Sequence, residues 1–158
     1  MPESTSPNLE EVGAIIHSAK QLAKRYRALT GRPLGITGEV AEYEAARLLS
    51  LELAPVRQSG FDAVRVNNTI IERFQVKGRC ILSKKSQRLG KIDLKKEWDG
   101  VLLVLLDNDL EPTAIYEAWR PKIDEALTKP GSRARNQRGA LTVSQFKSIG
   151  KLVWTRGT

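Results

Sequence analysis

Near the start of the chain apolar residues recur every three or four positions: Leu9, Val12, Ile15, Ile16, Ala19, Leu22, Ala23 and Tyr26. That period predicts an amphipathic helix opened by Asn8, with Glu11 three residues on in a capping-box-like arrangement, and running to about Leu29. Gly31 and Pro33 stop it. One face is expected to pack on the domain, leaving Lys20, Lys24, Arg25 and Arg27 in water. A second helix is predicted over "GEVAEYEAARLLSL", with Thr37 as its cap.

From residue 54 the period shifts toward two. "APVRQ", "FDAVRV" and "TIIERFQVK" read as short strands, the last two joined by a hairpin turn at Asn67-Asn68. "GVLLVLLD" is a continuous apolar run, the mark of a strand covered on both faces, and "TAIYEAW" is its expected hairpin partner. "PKIDEALTK" reads as a short helix opened by Pro121, "GSRARNQRGA" as a loop, "TVSQFKSIG" as a helix and "KLVWT" as a last strand. Strands interleaved with helices, several of them hairpin-connected, predict an α/β fold with a mixed central sheet flanked by helices. Residues 1–7 are expected to be disordered, and 8–158 to form a single domain with an added N-terminal helix at 8–30 and a basic C-terminal segment at 126–158.

Charge changes this picture. The net charge is +8, yet between Ala126 and Thr158 there is no acid, while Lys129, Arg133, Arg135, Arg138, Lys147, Lys151 and Arg156 contribute +7. A second basic cluster, with Arg79, Lys84, Lys85, Arg88 and Lys91, lies between 79 and 96 with Asp93 as its only acid. Two basic segments on a near-neutral body suit the phosphate backbone of a nucleic acid, with a solvated basic surface as the plainer reading. Cys80 is the only cysteine, which excludes a disulfide framework or a cysteine-based zinc site and fits a reducing, cytoplasmic setting. No stretch approaches a membrane span, and "MPESTSPNLEE" does not read as a signal peptide, so no membrane is expected as a partner.

In an extended strand alternate residues share a face, so Gln75 and Lys77 point together while Phe74 and Val76 suit a core behind them. A hairpin through Asn67-Asn68 brings Asp62 level with residues 73 to 75, beside that pair. Glu72 has the parity of Phe74 and is expected to point away from Lys77. On the second helix, with about 100° per residue and Glu42 at zero, Leu48, Ala41, Ala45, Leu49 and Ala46 fall at roughly 240°, 260°, 300°, 340° and 40°. Glu42 therefore lies inside the apolar arc, and Glu44, near 200°, is expected to face away. A carboxylate on a buried face needs a cation or donors, and Lys77 or a metal bound by Asp62 would serve. The plainer reading is a turn-capping Asp62, a Glu42–Lys77 ion pair and a polar edge residue at 75.

A helix with an inward Glu, a Gly-x-Asp step ("GFDAV") and a strand ending Gln-x-Lys ("FQVKGR"), in this order, resembles the PD-(D/E)XK nuclease superfamily, the restriction-endonuclease-like fold. The Gln variant is similar to its methyl-directed type IV restriction branch, and the compact size to the archaeal Holliday-junction resolvases. The resemblance covers about residues 37 to 120. It implies a divalent-metal-dependent nuclease that binds DNA and hydrolyses phosphodiester bonds. Mg²⁺ or Mn²⁺ would be held by Asp62, the Gln75 side-chain oxygen, the Val76 backbone carbonyl, and Glu42 directly or through water. Lys77 would orient the attacking water, and Arg79, Lys84, Lys85, Arg88, Lys91, Arg133, Arg135 and Arg138 would contact the nucleic acid. Cutting both strands would call for a homodimer. Phe61 stands where the superfamily has Pro. Gln75 removes one negative ligand, and the alternative is a catalytically inactive nucleic-acid-binding module of the same fold, acting with partner proteins in a larger defence or repair system.

His17, alone on a helix, reads as a surface residue, and Cys80 as a poor nucleophile. Trp119 and Trp154 are expected in the core, and Trp98 to seal a loop onto the sheet.

Overall fold

A computed structural model describes residues 6–55, 60–81, 87–131 and 133–157, without the side chains of Arg133, Ala134 and Gln137. The elements run α1 (Leu9–Thr30), α2 (Thr37–Leu49), β1 (Glu52–Leu53), β2 (Ala63–Asn67), β3 (Ile70–Cys80), β4 (Gly100–Leu106), β5 (Pro112–Trp119), α3 (Arg120–Thr128), α4 (Arg133–Arg138), α5 (Val143–Ile149) and β6 (Lys151–Thr155). The strands form one six-stranded sheet in the order β1-β2-β3-β4-β5-β6. All pairs are antiparallel except β3 and β4, which run parallel and are joined by residues 81 to 99. The chain is thus α/β with a mixed open sheet, as the pattern predicts. The expected disorder of residues 1–7 lies, for 1–5, outside the described residues, as do positions 56–58 of the "APVRQ" strand.

Every residue of β4 is buried because the sheet is covered on both sides. Leu102, Val104 and Leu106 join Phe74 and Val76 in the core under α1 and α2. Val101, Leu103 and Leu105 join Trp98, Ile123, Leu141 and Phe146 in a second core under α3, α5 and the 89–98 segment. Trp98 is 1 % exposed, donates its ring N–H to the Asp93 carbonyl at 2.9 Å and lies under the Arg120 guanidinium, so it does seal that segment onto the sheet.

Asn8 caps α1, its Oδ1 accepting the Glu11 N–H at 3.0 Å, and Thr142 with Gln145 forms a full capping box on α5. The tight β2–β3 turn holds Asn68 and Thr69, with Asn68 at φ 57°, a left-handed conformation that Asn tolerates.

Several expectations are corrected. Thr37 is the first residue inside α2, whose N-cap is Ile36 with no side-chain cap. "GSRARNQRGA" contains the short helix α4. Trp119 is 39 % exposed at the end of β5, stacked at a tilt on Phe74. The larger correction concerns α2. It lies between the sheet and α1, so it is buried over a far wider arc than one apolar face requires. Glu44 is 2 % exposed, and it pairs with Lys20 of α1 at 2.7 Å and Arg47 at 2.6 Å. Lys20, expected in water, is also buried and has a second contact to Glu111 at 3.1 Å.

Candidate metal centre

The position of α2 is set by a small-residue contact. A Cβ on Gly78 of β3 would sit 2.6 Å from the Ala41 Cβ and 3.1 Å from the Thr37 carbonyl. Only glycine lets the helix come this close to the strand, and the residue after Ala41 is Glu42.

β3 outruns its hairpin partner. Its first half pairs with β2, ending at Ala63 opposite Phe74, while residues 74 to 80 pair with β4 on the other edge. Beyond Phe74 the edge toward β2 would be a row of unpaired backbone groups. Asp62 meets the first of them: its N–H donates to the Phe74 carbonyl at 2.8 Å, and its Oδ2 accepts the Val76 N–H at 2.8 Å. A strand residue turns its N–H and C=O to the same edge, so the Val76 carbonyl is directed to the side where Asp62 sits.

Gln75 is 7 % exposed, and its Nε2 donates to the Gly60 carbonyl at 3.0 Å. A carbonyl can only accept, so Gly60 determines which end of the amide is nitrogen. Gly60 itself sits at φ 101°, a conformation that favours glycine. The other end, Gln75 Oε1, is buried without a hydrogen-bond partner. An unsatisfied buried acceptor costs about 1–3 kcal/mol.

Lys77 reaches the Lys91 carbonyl with its Nζ at 2.8 Å. Burial holds its pKa below the ordinary lysine value, against the opposing charges of Asp62 and Glu42. Glu42 carries the strongest perturbation. Burial first, then the charges of Asp62 and Glu39, push its pKa from 4.5 up to about 7, with a hydrogen bond to Asp62 acting the same way and Lys77 opposing. Glu42 thus acts as a partly protonated neighbour of Asp62, and no Glu42–Lys77 ion pair forms within 4.0 Å among the described residues. Glu72 is elsewhere, paired with Arg65 at 2.9 Å, as its parity requires.

Gly60, Phe61, Asp62, Gln75, Lys77 and Lys91 line a cleft of ≈ 200 Å³. Its oxygen donors suit a hard divalent cation, which takes one or two carboxylates together with carbonyl oxygens and keeps several waters. Among the described residues no three of His, Cys, Asp and Glu gather into a metal cage; position 75 carries a neutral amide. Two features are compatible with a cation there: an amide oxygen without a hydrogen-bond partner, and a Glu42 carboxyl whose pKa is raised by burial first and then by the neighbouring carboxylates. Sequence reasoning finds the side chains, but not Gly60, Gly78 or the Lys91 carbonyl, whose roles are backbone contacts.

The two basic segments, distant in sequence, meet in space. Leu89 N–H bonds Leu141 C=O, Ile92 N–H bonds Gly139 C=O, and Val143 N–H bonds Gln87 C=O. The 87–92 strip is held to β3 in turn by Lys77 on Lys91 and by Arg79 Nε on the Arg88 carbonyl at 2.7 Å. Arg88, Lys91 and Arg138 are exposed. Arg79 also bonds the Gly78 carbonyl, and Arg135 bonds the Lys129 and Pro130 carbonyls, so both tether backbone within the fold. Lys84, Lys85 and the Arg133 side chain lie outside the described residues. His17 is exposed, and burial raises the pKa of the half-buried Cys80 thiol. No described helix is long and apolar enough to cross a membrane.

Compared with models of known protein families and with curated proteins, the chain matches none.

Proposed function

We propose that this chain is a divalent-metal-dependent nuclease of the PD-(D/E)XK type, with the restriction-endonuclease-like fold, that binds DNA and hydrolyses its phosphodiester bonds in the cytoplasm. The observation that carries the reading is the unpartnered Gln75 Oε1 beside the Asp62 carboxylate at the open edge of β3. Asp62, Gln75 Oε1 and the Val76 carbonyl would hold Mg²⁺ or Mn²⁺, with Glu42 joining directly or through water. When bound, such an ion lowers the pKa of a water and offsets charge developing on phosphorus. Lys77, its pKa lowered by burial, accepts or donates a proton more readily than a surface lysine and sits where it can orient that water. The surface carrying Arg88, Lys91 and Arg138 adjoins the cleft and would take the phosphates on either side.

The test is incubation with duplex, branched, methylated and single-stranded DNA in Mg²⁺ or Mn²⁺, beside Asp62→Ala and Lys77→Ala. Cleavage confined to the wild type supports the proposal; cleavage that survives both substitutions, or none with either metal, overturns it. The neutral amide at position 75 favours one second reading, an inactive nucleic-acid-binding module. That reading expects DNA affinity that falls steeply with salt and is unchanged by Mg²⁺ or by Asp62→Asn.

A further inference from the structure

The cleft at Asp62 is one end of a longer depression. Lys91, which lines the cleft, also lines a cavity of ≈ 380 Å³ beside α3, and Arg135, which lines that cavity, also lines a third of ≈ 230 Å³ between α3 and α5. The three spaces therefore follow one another. The part they share is pinned: Arg135 Nη2 donates to the Lys129 and Pro130 carbonyls at 2.7 and 3.1 Å, and Asn136 Nδ2 donates to the Leu127 and Lys129 carbonyls at 3.1 and 2.6 Å.

Each of the two outer cavities combines an apolar floor with a basic rim. Buried Ile92 and Leu127 line the first and buried Leu141 the second, while exposed Lys91 and Lys95, then exposed Lys122 and Lys129, line them from the surface. With Arg135, these lysines outnumber the two acids present, Asp93 and Glu125. Lys20 and Lys24 of α1 are paired with carboxylates, whereas Lys95, Lys122 and Lys129 have no ion pair within 4.0 Å among the described residues.

We propose that these cavities take successive nucleotides of a single DNA strand leaving the cleft, its phosphates on the lysines and its base faces on the apolar floor. The inference rests on the cleft being the nucleic-acid site argued above. A duplex keeps its base faces stacked on one another and offers only phosphates and groove edges, which a basic surface takes without any apolar floor. An apolar floor under a basic rim matches instead a strand whose bases are unstacked. Among the described residues no aromatic ring lines either cavity, so bases meet aliphatic side chains and the groove is indifferent to sequence. The substrate class this assigns is DNA with a single-stranded tail or flap beside the bond in the cleft.

Fluorescence anisotropy on the full chain, without divalent ion and at about 50 mM salt, compares a blunt duplex with the same duplex carrying a 5′ or a 3′ tail of about 8 nucleotides. One of the tails should tighten binding at least about tenfold. Lys122→Ala with Lys129→Ala should remove that gain, leave the blunt duplex within about twofold, and keep the melting temperature, because both side chains are exposed. The slope of log affinity against log salt for the tailed DNA should become shallower by about 1.4, the loss of two contacts to a single strand. Lys95→Ala should remove part of the gain. Equal affinity for tailed and blunt DNA overturns the proposal, as does a double variant that weakens both alike, which would make these lysines a general basic surface. Lysine-dependent tail binding by a chain that cleaves no DNA supports the groove and ends the nuclease reading; cleavage of both DNAs without preference for a tail supports the nuclease reading and overturns the groove.

Discussion

Glu42 and Glu44 stand two residues apart on α2, and both are withdrawn from water, yet their surroundings differ in kind. Glu44 is enclosed: Lys20 meets one carboxylate oxygen and Arg47 the other, and Glu111 shares Lys20 from outside. Glu42 faces the opened edge of β3, where its nearest titratable neighbour is another carboxylate and where the amide oxygen of Gln75 has no donor. One cluster is complete within the chain. The other sets two carboxyls side by side with only the Lys77 charge opposing them and leaves an amide oxygen without a donor, the features on which the proposed cation site rests. The contrast teaches that burial of a carboxylate is not by itself a functional sign; what distinguishes the two is whether the protein supplies the counter-charge.

The largest test of that contrast is on the closed side. Lys20→Ala leaves Glu44 with Arg47 alone, and Glu44→Ala leaves Lys20 with Glu111 alone; each should cost up to about 3 kcal/mol in denaturant unfolding, the low end for a broken buried pair. A loss under 1 kcal/mol would mean that water enters the cluster and that the two carboxylates are not so different. On the open side, a divalent ion at about one hundred times its dissociation constant should stabilise the wild type by roughly 2.7 kcal/mol, seen as a rise in melting temperature. Asp62→Ala should abolish that rise, and Glu44→Gln should retain it. Gly78→Ala forces a Cβ into Ala41 and the Thr37 carbonyl and should cost about 1–3 kcal/mol. In that variant the pKa of Glu42, followed by carboxyl-carbon NMR, should fall as α2 moves away from Asp62.

The smallest effect is the most diagnostic. Because the folded chain holds the Glu42 proton more tightly than the unfolded chain, the contribution of Glu42 to stability is fully present below pH 4.5, declines as pH rises, and is lost by about pH 7. After allowing for screening of a group that is only partly buried, the decline should be about 1–2 kcal/mol. Glu42→Gln should remove this slope, leaving the variant equal to the wild type near pH 4 and more stable near pH 8. A wild-type profile flat over that range would show that Glu42 is not crowded by Asp62.

Much of the site was legible because strand parity is a local rule. Gln75 and Lys77 share a face, Glu72 does not, and the hairpin brings Asp62 to the level expected within 73 to 75, although the turn falls at Asn68-Thr69, one residue later than expected, which fixes that level at Gln75. The opposite outcome for Glu44 and Lys20 has an equally plain origin. The helical wheel assumes one covered face, whereas α2 is covered by the sheet on one side and by α1 on another. The wheel places residues around an axis but holds no information about how many layers surround it. Trp119 was misjudged for a related reason, since the end of β5 lies beyond the helices that cover its middle.

The sequence by itself determined what depends on neighbours along the chain: the order of elements, the Asn8 cap, the doubly covered β4 and the alternation that sets Gln75 and Lys77 side by side. Only the tertiary structure decided what depends on packing and on backbone atoms. It brought Gly78 against Ala41, which seats Glu42 beside Asp62; it left Gln75 Oε1 without a donor; and it tied the 87–92 strip to the 139–143 segment, joining two basic stretches into one surface. The physical reason is that periodicity is a property of a single strand or helix, whereas counter-charge and hydrogen-bond satisfaction belong to the space between elements, which no single segment encodes.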